Sequence, residues 1–333
     1  MSSSLLVVSG ALGVPYDVLY WLLERWSDAI LLVADQFGIG MLQYGFMHRA
    51  FLVGMLIAVM APLIGTFLVH RQLALIGDAL AHTAFAGVAV GLFVNAVLGV
   101  GVSPYLTAVV VAMLAALAIE LISEATDAYN DVSMAIVLST GFALGAVLIS
   151  LNSGGLAVGV NQYLFGNLST VTNQNTILLV GLFAIIALVV GVTYKQLLYV
   201  TFDETAAQVA GINVRWYNRV MVMLTAMVVV GAMQIMGVIL VAAMLVVPVA
   251  GATQIARSFR EALLASVVLA EIAVLVGITL SFQYEATAGG MIVLVAVGLY
   301  IGAVLYGKLR SSRAGTVDTV SADEQATDDQ MAD

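Results

Sequence analysis

Cysteine is absent from this 333-residue chain, so it has no disulfide, no thiolate metal site and no thiol nucleophile. Charge is scarce too. Charged residues make up 9% of the chain and hydrophobic ones 62%, against roughly 25% and 45–50% in an ordinary soluble domain. A globule of this composition cannot cover itself with a water-facing surface, so most of its surface faces lipid. A soluble enzyme and a nucleic-acid-binding module are thereby excluded. No basic stretch precedes the first apolar run, so no signal peptide is expected. No GxxxxGK[ST] loop and no HExxH pair occurs, which removes ATP binding through a P-loop on this chain and leaves an intramembrane zinc protease without support. Lysine is rare: only Lys195 and Lys308 are lysines among the 11 basic residues.

What the chain has instead is long apolar runs. Spanning helices of about 20 residues are expected near 50–69, 77–98, 104–123, 132–151, 174–194, 216–233, 235–256, 262–281 and 288–306. The fold class is therefore all-α, a polytopic transmembrane bundle of about nine spanning helices (8–10). Residues 1–49 form a separate N-terminal segment. Within it, residues 16–34 place Trp21, Leu22, Leu23, Trp26, Ile30 and Leu31 at helical spacing among Asp17, Glu24, Arg25 and Asp28. Four charges argue against spanning, and the pattern reads as an amphipathic helix lying at the membrane interface. Residues 50–306 form the membrane domain, and 307–333 a basic stop followed by an acidic, disordered tail with six acids after residue 313. Without that tail the net charge of −9 becomes −3. Few lysines and an acidic tail suggest the high-salt cytoplasm of a halophilic prokaryote.

Basic residues orient the bundle. If residues 216–256 make two crossings that meet near Gln234–Gly237, then Arg71, Lys195, Arg215, Arg219, Arg257, Arg260, Lys308, Arg310 and Arg313 all lie on one face. Only Arg25 and Arg49 lie on the other, so the positive-inside rule puts the C-terminus in the cytoplasm. One long kinked helix over 216–256 would separate the Arg pairs instead. On the nine-crossing scheme 152–173 is an outer connection. Residues 203–213 sit in a cytoplasmic one, with an acidic start and Gly211 near the end, the signature of a short capped helix.

Four ionisable residues fall within the predicted spans: Asp78, His82, Glu120 and Glu271. Each is costly in hydrocarbon and should face a polar interior. Asp78 and His82 are four apart, which puts a carboxylate and an imidazole on one helix face. Such N and O donors suit Zn²⁺, Mn²⁺ or Fe²⁺. Asp78 also suits a helix cap or a pair with Arg71, with His82 bonding Asp78. Glu120 and Glu271 are read as lying near cytoplasmic ends. Small-residue pairs at Gly87–Gly91, Gly141–Gly145 and Gly298–Gly302 favour close helix packing.

Several stretches together resemble one family. HRQLALIGDALAHTAFAGVAVGLF (70–93), NDVSMAIVLSTGFALGAVLIS (130–150), YLFGNLSTVT (163–172), TFDETAAQVAGINV (201–214) and MGVILVAAMLVVPVAGATQIARS (236–258) resemble, in order, segments of membrane permease subunits of the zinc/manganese/iron class of ATP-binding-cassette metal importers. The resemblance implies a homodimer of permeases, two cytoplasmic P-loop ATPase subunits and an extracellular metal-binding protein, in a multi-pass plasma-membrane complex. The substrate would be a divalent transition-metal cation, with no permanently bound cofactor, and ATP hydrolysis would occur on the separate subunit, not on this chain. The same resemblance gives Asp78 and His82 a transient role in metal passage, adds Asp131 as a further pathway residue beside Glu120, which its place within the spans already offers, and makes Phe202, Asp203, Glu204, Ala207, Gly211 and Ile212 the segment that couples to the ATPase. The acidic loop 124–131 and residues 1–49 depart from the pattern. Alternatives are a siderophore- or cobalamin-type permease, which needs a wide path with few metal ligands, and an ion-coupled secondary transporter, which needs no ATPase and often has an inverted repeat.

Overall fold

The computed structural model describes residues 16–37, 40–126, 130–151, 163–168 and 171–331; side chains are described for most of these, up to Leu309. Most of the outer connection 152–173 lies outside the described residues. Among the described residues eleven helices have both ends defined, in order: α1 (Tyr16–Phe37), α2 (Gly45–His70), α3 (Ile76–Leu98), α4 (Pro104–Thr126), α5 (Asn130–Leu151), α6 (Asn173–Phe202), α7 (Glu204–Val209), α8 (Val214–Met236), α9 (Val238–Thr253), α10 (Phe259–Gln283) and α11 (Ala288–Met331). Eight of them, α2 to α6, α8, α10 and α11, contain stretches long and apolar enough to cross a membrane, and α9 is apolar but only 16 residues long. The nine expected crossings thus appear as eight full spans and one short one.

Helix α2 is the hub. It packs on α6, α8, α9 and α10, while α3 packs on α4, α5, α8 and α9. Its buried residues run almost its full length, from Met47 to Leu68, as expected of a helix apolar all round. Pro62 inside it removes one backbone donor, and the Thr66 hydroxyl donates to the Pro62 carbonyl at 2.7 Å. Glycines set the tightest approaches. A Cβ at Gly141 would lie 2.6 Å from Thr83 Cγ2, and one at Gly145 would lie 2.7 Å from Phe85, so only glycine lets α5 press this closely on α3. Gly87 and Gly91 do the same between α3 and α4, whereas Gly298 and Gly302 meet nothing.

The chain reverses at Gly237, between α8 and α9. Its φ of 76° and ψ of 156° belong to backbone that glycine adopts almost alone. Gly166, also at positive φ, faces it, and the start of α11 at Gly289 lies against the Met236 carbonyl. The junction is therefore covered by segments that begin or end on the outer side. Arg215 in the first turn of α8 and Arg257 after α9 consequently fall at the same end of this helix pair, as the two-crossing reading expects. At about 1.5 Å per residue α9 rises only about 24 Å, short of the roughly 30 Å hydrocarbon core.

Side-chain bonds support this orientation at both ends. Arg49 donates to the Val171 carbonyl at 2.8 Å and to Asn173 at 3.2 Å, tying the outer starts of α2 and α6. On the other face Arg219 grips Glu124 with bonds of 3.0 and 3.2 Å, and Arg71 pairs with Glu204 at 3.9 Å. Three connections expected in the cytoplasm are thereby knitted together. The N-terminal helix is present as α1, held by Trp26 donating to the His48 carbonyl at 3.0 Å. Helix α11 continues to Met331, where the sequence suggests a disordered tail; extending a formed helix adds one bond per residue without a new nucleus.

Candidate functional site

Helix α3 begins at Ile76, and its cap position is Leu75 with no side-chain cap. Asp78 is thus free of the capping role that its position suggested, and Arg71 turns to Glu204 instead. Asp78 Oδ1 lies 3.7 Å from His82 Nε2, with the two side chains 41% and 23% exposed. The pair is partly exposed, on the flank of α3 that meets α5. There the His82 ring stands edge-on to Phe142 of α5, centroids 5.5 Å apart. Phe142 is half exposed, and no sequence pattern marked it as a neighbour of His82. Imidazole nitrogen and carboxylate oxygen within one turn of helix can bind one divalent cation between them. They leave most of its coordination positions open.

Among the described residues no group of three or more His, Asp or Glu side chains could hold a metal. Glu120 and Asp131 therefore do not join Asp78 and His82. Asp131 is exposed in the first turn of α5. Glu120 lines a cavity of about 300 Å³ with Arg71, Glu124, Glu204, Gln208 and Asn218. In that cavity burial pushes the Arg71 guanidinium down from its ordinary range, and the carboxylates of Glu204 and Glu120 oppose the shift. Glu271 sits at the midpoint of α10 and not near a cytoplasmic end. The other histidines are structural: His48 Nε2 meets the Leu42 carbonyl at 2.6 Å and His70 Nδ1 the Thr66 carbonyl at 2.7 Å.

The second element is the short helix α7, which the charge pattern leads one to expect on the cytoplasmic side. Helix α6 has 30 residues, about 45 Å, and so carries its end beyond the hydrocarbon before the chain turns into α7. Asp203 caps α7, its carboxylate accepting from the Ala206 amide at 2.8 Å. Removing such a cap costs about 1 kcal/mol. Gly211, at φ 79°, turns the chain after it. The helix covers Glu204–Val209 only, shorter than the 203–213 that the sequence suggests, because the glycine turn ends it early. Phe202, Asp203, Glu204 and Gly211 are exposed, and Val209 is 86% exposed. Ala207 is fully buried against Val200 and Val214, with Ile212 packed beside it. Ala207 is the foot on which α7 stands, and its side chain is unavailable to a partner.

Comparison with known proteins bears on this geometry. The profile of the ABC-3 family, "ABC 3 transport family", matches residues 43–307. The manganese transport system membrane protein MntC of Halalkalibacterium halodurans is 31% identical over 260 residues, 78% of this chain and 87% of that protein. MntC of Listeria innocua is 28% identical over 267 residues, 80% of this chain and 92% of that protein. A solved structure, PsaBC from Streptococcus pneumoniae in complex with Fab, is similar with a TM-score of 0.72 and 29% identity, over 83% of this chain and 99% of that one. Helix α1 precedes the matched region.

Proposed function

The chain belongs to the ABC 3 transport family, and on that premise we propose that it is the permease subunit of an ATP-driven importer of manganese, iron or zinc. It is a multi-pass membrane component, and ATP hydrolysis falls to a separate subunit. The relatives named for manganese favour that metal. Two copies would enclose the path, each presenting Asp78 and His82 to it, and two cytoplasmic ATPases would bear on α7 of each copy. An extracellular metal-binding protein would deliver the ion at the outer face, in the plasma membrane of a prokaryote whose acidic tail suits high salt.

The observation that carries this reading is the Asp78–His82 pair, partly exposed in the first two turns of a helix whose neighbouring residues Gly77, Ala79, Leu80 and Ala81 are buried. One copy supplies two ligands and a second copy two more, enough to replace part of the ion's water shell. A site opened by rocking two halves apart releases what a closed cage would trap. The siderophore-type alternative calls for a wide path without such donors, and the pair speaks against it. Uptake of radioactive manganese by the assembled complex tests the assignment. The Asp78→Asn, His82→Ala double variant, at normal expression and assembly, should lose at least about tenfold of uptake. Unchanged uptake removes the pair from the path.

A further inference from the structure

The last residue of α2 and the one after it, His70 and Arg71, both reach the coupling segment, from different directions. The Phe202 ring, which ends α6, stands 6.0 Å from the His70 ring and 5.7 Å from Phe259, and His70 and Phe259 are themselves 5.1 Å apart. One residue beyond the cap, Glu204 meets the Arg71 guanidinium at 3.9 Å. Arg71 is nearly enclosed, its side chain 11% exposed against 50% for Glu204. A second guanidinium nitrogen contacts Met221 Sδ of α8 at 3.7 Å. The start of the coupling helix is thus held by an aromatic cluster on one side and by an ion pair on the other.

From Arg71 the chain runs directly to Asp78. Four backbone bonds brace the intervening turn: Gln72 N to Val69 O at 3.1 Å, Leu73 N to Leu68 O at 2.9 Å, Ile76 N to Leu73 O at 3.1 Å and Asp78 N to Leu75 O at 3.2 Å. Such a turn moves as a unit, since bending it breaks these backbone bonds. Helices α2 and α3 do not form one of the packed pairs of the bundle; α8 and α9 each contact both of them. The turn is therefore the direct covalent link between the hub helix and the helix that bears Asp78 and His82.

We propose that Arg71 is a positioning residue that transmits movement of the coupling helix to the metal-path helix, through the Arg71–Glu204 pair and the Arg71–Leu75 turn. This rests on the reading of the chain as an importer permease. When an ATPase subunit displaces α7, Glu204 draws on Arg71, and the bonded turn carries the displacement to the first turn of α3, where Asp78 stands. Breaking the pair leaves the permease able to bind its ATPase through the exposed face of α7 but disconnects hydrolysis from the path.

The test uses the complete complex in proteoliposomes and reads manganese ions moved per ATP hydrolysed. Arg71→Gln should lower that ratio by about tenfold, the size of a typical coupling free energy, while hydrolysis continues and the complex stays assembled. The reversed pair, Arg71→Glu with Glu204→Arg, should recover much of the ratio that Arg71→Glu alone loses. A purely structural role for Arg71 predicts that hydrolysis, assembly and transport fall together, and this would overturn the proposal. An unchanged ratio in Arg71→Gln, or a reversed pair no better than Arg71→Glu, would overturn it as well. Where Arg71→Gln fails to assemble, Glu204→Gln removes the same pair from its exposed side, and the same ratio decides. Absence of ATP-dependent uptake by the unaltered complex would be a different failure, that of the importer reading itself.

Discussion

Gly237 concentrates in one residue two demands that no side chain meets. Its backbone lies at φ 76° and ψ 156°, where a non-glycine residue costs about 1–3 kcal/mol. A Cβ there would also run into the Leu164 carbonyl and lie 2.5 Å from the Phe165 carbonyl carbon. The facing Gly166 is under the same constraint, so neither wall of the contact can yield by rotating a side chain. Gly237→Ala should therefore lower the thermal unfolding temperature of the purified protein and its yield in the membrane. A melting temperature equal to that of the parent would mean that the α8–α9 junction is looser than the structure has it. The same residue explains why one apolar run of about 40 residues becomes two helices. The left-handed turn ends α8 with its last amide bonded to Met233, and α9 starts afresh.

At the scale of helices, three glycine pairs identical in spacing have different fates. Gly141 and Gly145 seat α5 on Thr83 and Phe85 of α3, while Gly298 and Gly302 of α11 have open space where a Cβ would go. Gly141→Leu should destabilise by about 1–3 kcal/mol, as overpacking does, and should also disturb Phe142 beside His82 and depress metal uptake. Gly298→Leu should leave both melting temperature and uptake near the parent values. Equal effects at the two positions would refute the packing assignment. This difference was not legible in the sequence, because a four-residue spacing states what a helix offers and not what stands opposite. The spans themselves were legible, since an apolar run must cross lipid as a helix with its backbone bonds satisfied internally. Their ends were legible less well: α6 continues from the expected 194 to Phe202, because polar residues outside the apolar run still satisfy their backbone by staying helical. The Asp78–His82 pair was visible from its own four-residue spacing. The Arg71–Glu204 pair joins residues far apart in sequence and became visible only when α2 and α6 were seen to end side by side. The burial of Ala207 was not legible for a related reason, since a six-residue helix has too few positions for its buried side to show as a period.

For the whole molecule, the decisive quantity is which face each connection occupies, and the chain's lack of cysteine makes that measurable without preparatory substitutions. Two ion pairs on one face join the α2–α3 turn to the coupling segment (Arg71–Glu204) and the start of α8 to the end of α4 (Arg219–Glu124). On the opposite face Arg49 binds Val171 and Asn173. With the α8–α9 reversal these contacts tie the ends of α2, α4, α6 and α8 to one another, and the basic residues then decide which face is cytoplasmic, each worth about 1 kcal/mol near an anionic surface. Arg215 and Arg257 are both exposed and flank the reversed pair of helices, and Glu285 is exposed in the turn between α10 and α11. Single cysteines at these three positions should sort cleanly with a membrane-impermeant thiol reagent. Arg215→Cys and Arg257→Cys should react only when the reagent reaches the cytoplasmic face, and Glu285→Cys only when it is outside. Labelling of Arg215→Cys and Arg257→Cys from opposite faces would mean that α8 and α9 cross once between them. The C-terminus would then change sides, and α7 could lie with the cytoplasmic ATPases only if Arg257, Arg260, Lys308 and Arg310 all faced outward, against the charge rule that orients the rest of the chain.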